Sequence, residues 1–124
     1  MTRLLKQTDA KLLNLPGRSS RELVSGAIGS RMSFRLVEIA PPKPGDKPRG
    51  PHLHRDFEEC IYVLSGHGRM RAESGEFPVG PGDVLLITPG EKHVTDNTGS
   101  DPLLLLCFFP VPNVGPGTTE FPGF

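Results

Sequence analysis

Apolar and polar residues alternate along much of the chain in short runs that end at glycine or proline. A β-rich run at residues 59–64 and a long apolar run at residues 103–109 are predicted to be strands. Further short strands are predicted at residues 11–15, 22–25, 31–39, 69–73, 76–79, 84–87 and 93–95. Because turn signals recur about every eight to twelve residues, the pattern predicts an all-β sandwich or barrel.

Glycine and proline mark the boundaries of these segments. The 15 glycines and 14 prolines are spread between the apolar runs, which is typical of many short strands. Residues 41–48 contain four prolines and predict an exposed loop, because proline cannot donate to a β-ladder. We expect one domain over residues 1–124, with a core at about 31–110, amino-terminal strands or an arm at 1–30, and a tail at 111–124. The tail has no strand pattern of its own and is interpreted as a lid or as an arm on a neighbouring subunit.

Charge excludes some classes of partner. The chain has 14 Lys and Arg and 14 Asp and Glu, so its formal net charge is zero and nucleic acid is not an expected partner. Charged residues interrupt residues 1–15, so we expect neither a signal peptide nor a membrane span, and a cytoplasmic location is the default. Cys60 and Cys107 lie in apolar runs and are interpreted as buried thiols rather than as a disulfide.

The candidate chemistry lies in three of the four histidines. His52 and His54 are separated by one residue, and alternation along a strand would place both rings on one face. Together with Glu59 and His93 they supply three nitrogens and one oxygen, a set that suits a divalent metal ion. Ions that prefer five or six ligands, such as Fe, Mn, Ni and Co, would keep one or two open coordination positions beside these four side chains. The alternative is a degenerate pocket without metal.

The spacing of these residues resembles the two sequence motifs of the cupin superfamily. The first motif has the form HxH, four residues, Glu, six residues, Gly, and its positions are met by His52, His54, Glu59 and Gly66. The second motif is met by Gly82, Gly90, His93 and Asn97. The one departure is Thr88, where the family usually has proline, and this affects a turn more than the metal site. Only residues 67–81 separate the motifs, as in compact single-domain members.

The resemblance carries several expectations. It implies a double-stranded β-helix, the jelly-roll barrel of cupins, with one divalent transition metal per chain: Fe, Mn or Ni first, with Zn, Co or Cu open. It implies a homodimer in which amino-terminal strands help to form the contact, and exposed sheet edges give a physical reason for such pairing. It also implies a small-molecule substrate.

Strand alternation predicts the surroundings of the ligands. Side chains two and four residues beyond an inward-facing ligand share its face of the strand, which predicts that the pocket is lined by Ile61, Val63, Thr95 and Asn97. Asn97 is equally suited to holding a turn, as is Asp83. Arg35 could reach a substrate anion or face outward. We expect four other side chains to lie outside the pocket: Glu58, Cys60, Tyr62 and His67.

Three functions follow from this site. A metal-dependent dioxygenase of a small chelating molecule is slightly favoured. A non-redox isomerase, lyase or decarboxylase is the alternative, although the sequence shows no second histidine and no clear carboxylate base near the ligands. A small-ligand-binding or sensing module is the third hypothesis, and the catalytic residues are not identified.

Overall fold

The protein is described here by a computed structural model that covers residues 1–124. It contains eleven β-strands and no helix longer than a single turn of 3-10 helix. The strands, in chain order, are β1 Lys11–Leu15, β2 Arg18–Val24, β3 Ser33–Ile39, β4 His52–His54, β5 Glu59–Ser65, β6 Gly68–Ala72, β7 Gly75–Val79, β8 Val84–Ile87, β9 His93–Asn97, β10 Leu103–Phe109 and β11 Thr118–Glu120. No helix has the length and apolar character needed to cross a membrane.

The strands form two antiparallel sheets. One has six strands in the order β1-β2-β3-β10-β5-β8, and the other has five in the order β11-β4-β9-β6-β7. Strands that are adjacent in a sheet are often distant in sequence, as in the pairing of β3 with β10. This arrangement confirms the all-β prediction and is that of a jelly-roll barrel.

The core lies between the two sheets, and β10 shows how the sequence builds it. Leu103, Leu105, Cys107 and Phe109 alternate with less buried residues, and each has 4% or less of its surface exposed. Neighbouring strands add side chains to the same layer, so the apolar core is continuous around the barrel.

Most predicted strands have the expected positions. Residues 11–15, 84–87 and 103–109 form strands with the predicted bounds. The strand expected at 22–25 begins earlier, at Arg18, because it pairs with β1 from Arg18 onward. The strand expected at 31–39 begins at Ser33, and residues 41–48 form the expected exposed loop. Gly66 of the first motif has a φ of 86°, and a Cβ there would lie 2.6 Å from the carbonyl oxygen of Pro102, so this turn requires glycine.

The tail departs from the prediction. Instead of lacking strand structure, it contributes β11, which pairs with β4 over Thr118–Glu120. Backbone hydrogen bonds extend the contact on both sides, from Arg55 N to Gly117 O at 3.0 Å and from Phe121 N to Pro51 O at 2.9 Å. Gly50 allows this approach, because a Cβ there would collide with the carbonyl oxygen of Phe121. The tail therefore covers the edge of the strand that carries two of the histidines.

The residues expected outside the pocket have mixed burial. Glu58, Tyr62 and His67 are exposed, and Asp83 holds a turn by accepting a hydrogen bond from Gly80 N at 2.8 Å. Both cysteines are free, and Cys107 is buried as predicted. Cys60 is only half-buried, because strand alternation places it on the outer face of β5.

Candidate metal centre and its cavity

Four side chains converge inside the barrel from three strands. His52 and His54 lie on β4, Glu59 begins β5, and His93 begins β9 directly opposite His52. One nitrogen or oxygen atom from each lies within 4.8 Å of the others. All four residues are buried, with exposures of 8%, 4%, 4% and 1% in chain order. Burial of three imidazoles and a carboxylate around one point is the arrangement expected of a metal site.

Hydrogen bonds orient two of the rings. Nδ1 of His93 donates to the carbonyl oxygen of Glu91 at 2.9 Å, since a carbonyl can only accept. The hydroxyl of Thr118 donates to the carbonyl oxygen of Val114 at 2.8 Å, so its oxygen accepts from Nδ1 of His54 at 2.9 Å. In both rings the Nε2 atom therefore faces the centre of the cluster and lies 3.1 Å from Oε1 of Glu59. Because Nδ1 keeps its proton in these hydrogen bonds, Nε2 is the atom that can bind a metal ion once the proton it shares with Glu59 is released.

The electrostatics of the cluster favour an ionised Glu59 and a neutral His52, as a metal requires, but they favour the protonated form of His93. Burial would raise the pKa of Glu59, but hydrogen bonds from His54 and His93 outweigh it and hold that pKa below its usual range. Burial, followed by the charge of His93, lowers the pKa of His52 to about 2, so this ring is neutral at ordinary pH. Burial also opposes the charged form of His93, but hydrogen bonding and attraction to Glu59 raise its pKa. A bound metal ion would displace the proton from His93. Its own positive charge would then attract the carboxylate of Glu59 in place of the charged ring.

A cavity of about 330 Å³ opens from the cluster. Its apolar wall comes mainly from β3, β5 and β10 and includes Val37, Ile61, Leu105 and Phe109. Its polar wall includes six side chains: Arg18, Ser20, Arg35, Arg49, Thr118 and Glu120. A cavity that combines an apolar wall with several polar side chains is suited to a small organic ligand.

Three of the five residues predicted to line the pocket do so, namely Arg35, Ile61 and Thr95. Val63 does not line the cavity, because it is completely buried in the core farther along β5. Asn97 does not line it either. Its amide donates to the carbonyl oxygens of Ile39 and Asp101, and its own oxygen accepts from Gly99 N. Asn97 therefore holds the turn after β9, the alternative role considered for it.

Sequence reasoning missed Glu120, although it lies beside the candidate metal centre. Glu120 pairs with His52 across the β11–β4 ladder, so the two side chains lie on the same face. Its carboxylate lies 3.5 Å from Nη2 of Arg18 and is 43% exposed, which leaves it accessible from the cavity. Two consecutive threonines, Thr118 and Thr119, were the one strand signal in the tail.

Two of the cavity arginines were missed as well. Arg18 donates to the carbonyl oxygen of Pro16 at 2.8 Å, and Arg49 donates to the same oxygen at 3.1 Å and to Thr95 O at 3.2 Å. Burial and the nearby charge of Arg18 lower the pKa of Arg49 to about 10. These contacts fix both guanidinium groups in the cavity wall.

Comparison with known proteins identifies the family. The cupin domain model matches residues 38–109, more than half of the chain, and the chain belongs to this family. The match includes all four residues of the candidate metal centre. The protein is therefore a cupin that contains a cluster of three histidines and one glutamate, and this cluster supports metal binding.

Individual relatives align with about half of this chain. A glucose-6-phosphate isomerase of Thermococcus kodakarensis is 34% identical over 64 residues, which cover 48% of this chain and 34% of the isomerase. An oxalate-binding protein of Thermotoga maritima is 35% identical over 57 residues, which cover 46% of this chain and 47% of that protein. The aligned region thus spans less than half the length of either relative.

Solved structures share the fold over most of the chain. An oxalate decarboxylase of Lactobacillus farciminis superposes with a TM-score of 0.74 and 24% sequence identity, covering 92% of this chain and 34% of that one. At this identity, the likeness concerns the fold.

Proposed function

We propose that the protein is a metal-dependent enzyme of a small organic molecule and that His52, His54, Glu59 and His93 hold its metal. The donor set supports the proposal: two rings are fixed with Nε2 toward the centre, and the carboxylate is ionised. Fe, Mn or Ni suits three nitrogens and one oxygen with open positions, and Zn, Co or Cu are the further candidates.

The reaction that the cavity supports best is non-redox, an isomerase, lyase or decarboxylase reaction. The observation that carries this proposal is the position of Glu120, a carboxylate on the same face of the sheet as His52 and in the same cavity. When bound, the metal would polarise a substrate carbonyl as a Lewis acid. The carboxylate of Glu120 would accept and return the substrate proton, and the apolar wall would limit access of water.

Glu120 reverses the main argument against non-redox chemistry. The sequence alone shows no carboxylate base near the ligands, whereas the pairing of β11 with β4 places Glu120 on the same face as His52. The names of the relatives agree with the proposal, since one is an isomerase of a phosphorylated sugar and another binds oxalate. Both names point to small molecules with ionised oxygens.

A dioxygenase is the second candidate. The specific observation that favours it is the predominantly apolar wall beside a cluster with open coordination positions, which suits binding of dioxygen. Oxygen dependence separates the two reactions, because only the oxygenase consumes dioxygen with substrate.

The test is a turnover screen of the metal-loaded protein with sugar phosphates and with dicarboxylic acids. Each reaction is monitored by NMR, once with oxygen present and once without it. We expect product in both atmospheres, and we expect Glu120→Gln to lower kcat by about 100-fold or more at unchanged metal content. Glu38→Gln, an exposed carboxylate on β3, is the matched control. Turnover that requires oxygen would favour the dioxygenase. Ligand binding without any turnover would favour a sensing module.

A further inference from the structure

The cavity contains polar atoms that the protein leaves without partners. Three buried side-chain atoms have no hydrogen-bond partner: Oγ of Ser20, Nε of Arg35 and Nδ1 of His52. All three residues line the same cavity. A buried polar atom without a partner loses its hydration and gains nothing in return, so native proteins keep few of them. Ser20 and Arg35 are not among the proposed metal ligands, and the presence of their two unpartnered atoms in one cavity indicates that a ligand supplies the missing partners.

Arg35 is held in place by neighbours that do not use its hydrogen-bonding capacity. It lies on β3 between Glu22 of β2 and Cys107 of β10. Its guanidinium carbon lies 5.7 Å from the centroid of the Phe109 ring, a cation–π contact that helps to hold the group in the cavity. Burial lowers the pKa of Arg35, as expected for a cation that has lost water. An arginine in this state is suited to bind an anion.

Ser20 completes the arrangement from the neighbouring strand. It is fully buried and pairs with Val37, which shares the face of Arg35 two residues away on β3. Ser20 and Arg35 are therefore diagonal neighbours on the inner face of the sheet. A hydroxyl can donate to an oxyanion beside a guanidinium, so the two groups can bind the same anionic group.

The other cavity arginines are already engaged. Arg18 and Arg49 donate to carbonyl oxygens of the protein, and Arg18 also lies beside the carboxylate of Glu120. Arg35 is the one with a buried, unpartnered donor.

We propose that Arg35 and Ser20 form an anion subsite that binds the carboxylate or phosphate end of the ligand. The rest of the ligand would extend across the cavity toward the four-residue cluster. The substrate class is thus a small organic anion with oxygen atoms that can chelate the metal at its other end. This inference deepens the proposed function and rests on it for the position of the second end.

The experiment is calorimetric titration of the zinc-loaded protein with malonate and, separately, with inorganic phosphate. We expect Arg35→Met to weaken binding of the preferred anion by about 10-fold or more, and Ser20→Ala by about three-fold to ten-fold. Arg31→Met, which removes an exposed arginine outside the cavity, should change binding by less than about two-fold. The two probes distinguish a carboxylate subsite from a phosphate subsite.

If Arg35 instead stabilised the fold, its removal would lower the unfolding temperature. Thermal unfolding of the variants is therefore measured alongside binding. If Arg35 serves a ligand, Arg35→Met should unfold at the same or a higher temperature than the wild type without ligand, because it removes a half-buried charge whose Nε has no partner. Added anion should stabilise the wild type more than the variant.

Two outcomes overturn the subsite. The first is that wild type and Arg35→Met bind the anions with equal affinity. The second is that the wild type binds neither anion at concentrations up to about 10 mM. Failure of the proposed function is a separate result. If the protein does not take up zinc but still binds an anion through Arg35, the subsite stands and the metal enzyme does not.

Discussion

Nδ1 of His54 donates a hydrogen bond to Oγ1 of Thr118, 2.9 Å away, and thereby connects the candidate metal centre to the carboxyl-terminal segment. The hydroxyl of Thr118 is oriented in turn by the carbonyl oxygen of Val114. The segment therefore closes the sheet edge and also sets the tautomer of a proposed ligand.

Thr118→Val keeps the shape of the side chain and removes this hydrogen bond. Because partners of this kind orient metal-binding histidines, we expect metal affinity to fall by about 10-fold to 100-fold. Competition with a chromophoric chelator measures the change. Thr119→Val, whose hydroxyl accepts from Arg55 instead, is the matched control and should bind metal like the wild type. Equal affinities for the two variants would refute the positioning role.

His54→Ala should remove most metal affinity and leave the barrel folded, because the surrounding wall is largely apolar. The control is His67→Ala, which removes the exposed histidine of the β5–β6 turn. Metal content after identical loading and desalting, with circular dichroism as a check of folding, distinguishes the two. A His54→Ala protein with full metal occupancy would show that the ligand assignment is wrong.

The lowered pKa of His52 makes the metal-free protein sensitive to acid. The ring titrates near 6.5 when unfolded and at about 2 when folded, so the unfolded chain binds a proton that the folded chain refuses. Stability from this residue is complete above about pH 6.5 and is lost progressively as the pH falls toward the folded value. Relative to a His52→Gln variant, the wild type should lose about 2 kcal/mol of unfolding free energy between pH 7 and pH 5. Urea unfolding of chelator-treated protein tests this, and parallel pH profiles for the two proteins would contradict it.

The homodimer implied by the family resemblance stays a prediction, and the exposed apolar residues favour a contact on β5, β8 and β10 rather than on the amino-terminal strands. Exposed apolar side chains collect there on β5, β8 and β10: Tyr62, Leu64, Val84, Leu86 and Phe108. Such a patch on a sheet that ends in an open edge is typical of an interface. We expect Leu86→Lys to shift the protein toward monomer in sedimentation velocity. Phe77→Lys, at an exposed apolar position of the other sheet, should not. A wild-type monomer at high concentration would contradict the expectation.

Local sequence patterns were sufficient for most of the strands and, together with the motif spacing, for the cluster. Strand alternation correctly places His52 and His54 on one face, and the spacing to Glu59 and His93 brings all four together. Alternation also predicts the inward positions of Ile61 and Thr95. It does not tell how far along a strand the cavity extends, which is why Val63 lies in the core and Asn97 in a turn.

Long-range pairing accounts for what the sequence did not predict. Glu120 is far from His52 in the chain, and β11 has only three residues within a segment rich in proline and glycine. Such a strand is stabilised by its partner rather than by its own pattern. Arg18 and Arg49 likewise reach the cavity only because the sheets fold over one another. Arg35 was a candidate from the sequence, whereas Glu120, Arg18 and Arg49 are brought to the cavity by tertiary structure.

The most direct test of this account is elemental analysis of the untagged protein purified without chelator. We predict one Fe, Mn, Ni or other divalent transition metal per chain, and its loss in His54→Ala but not in His67→Ala. A wild-type protein that carries no metal and takes up none when metals are added would contradict the central claim.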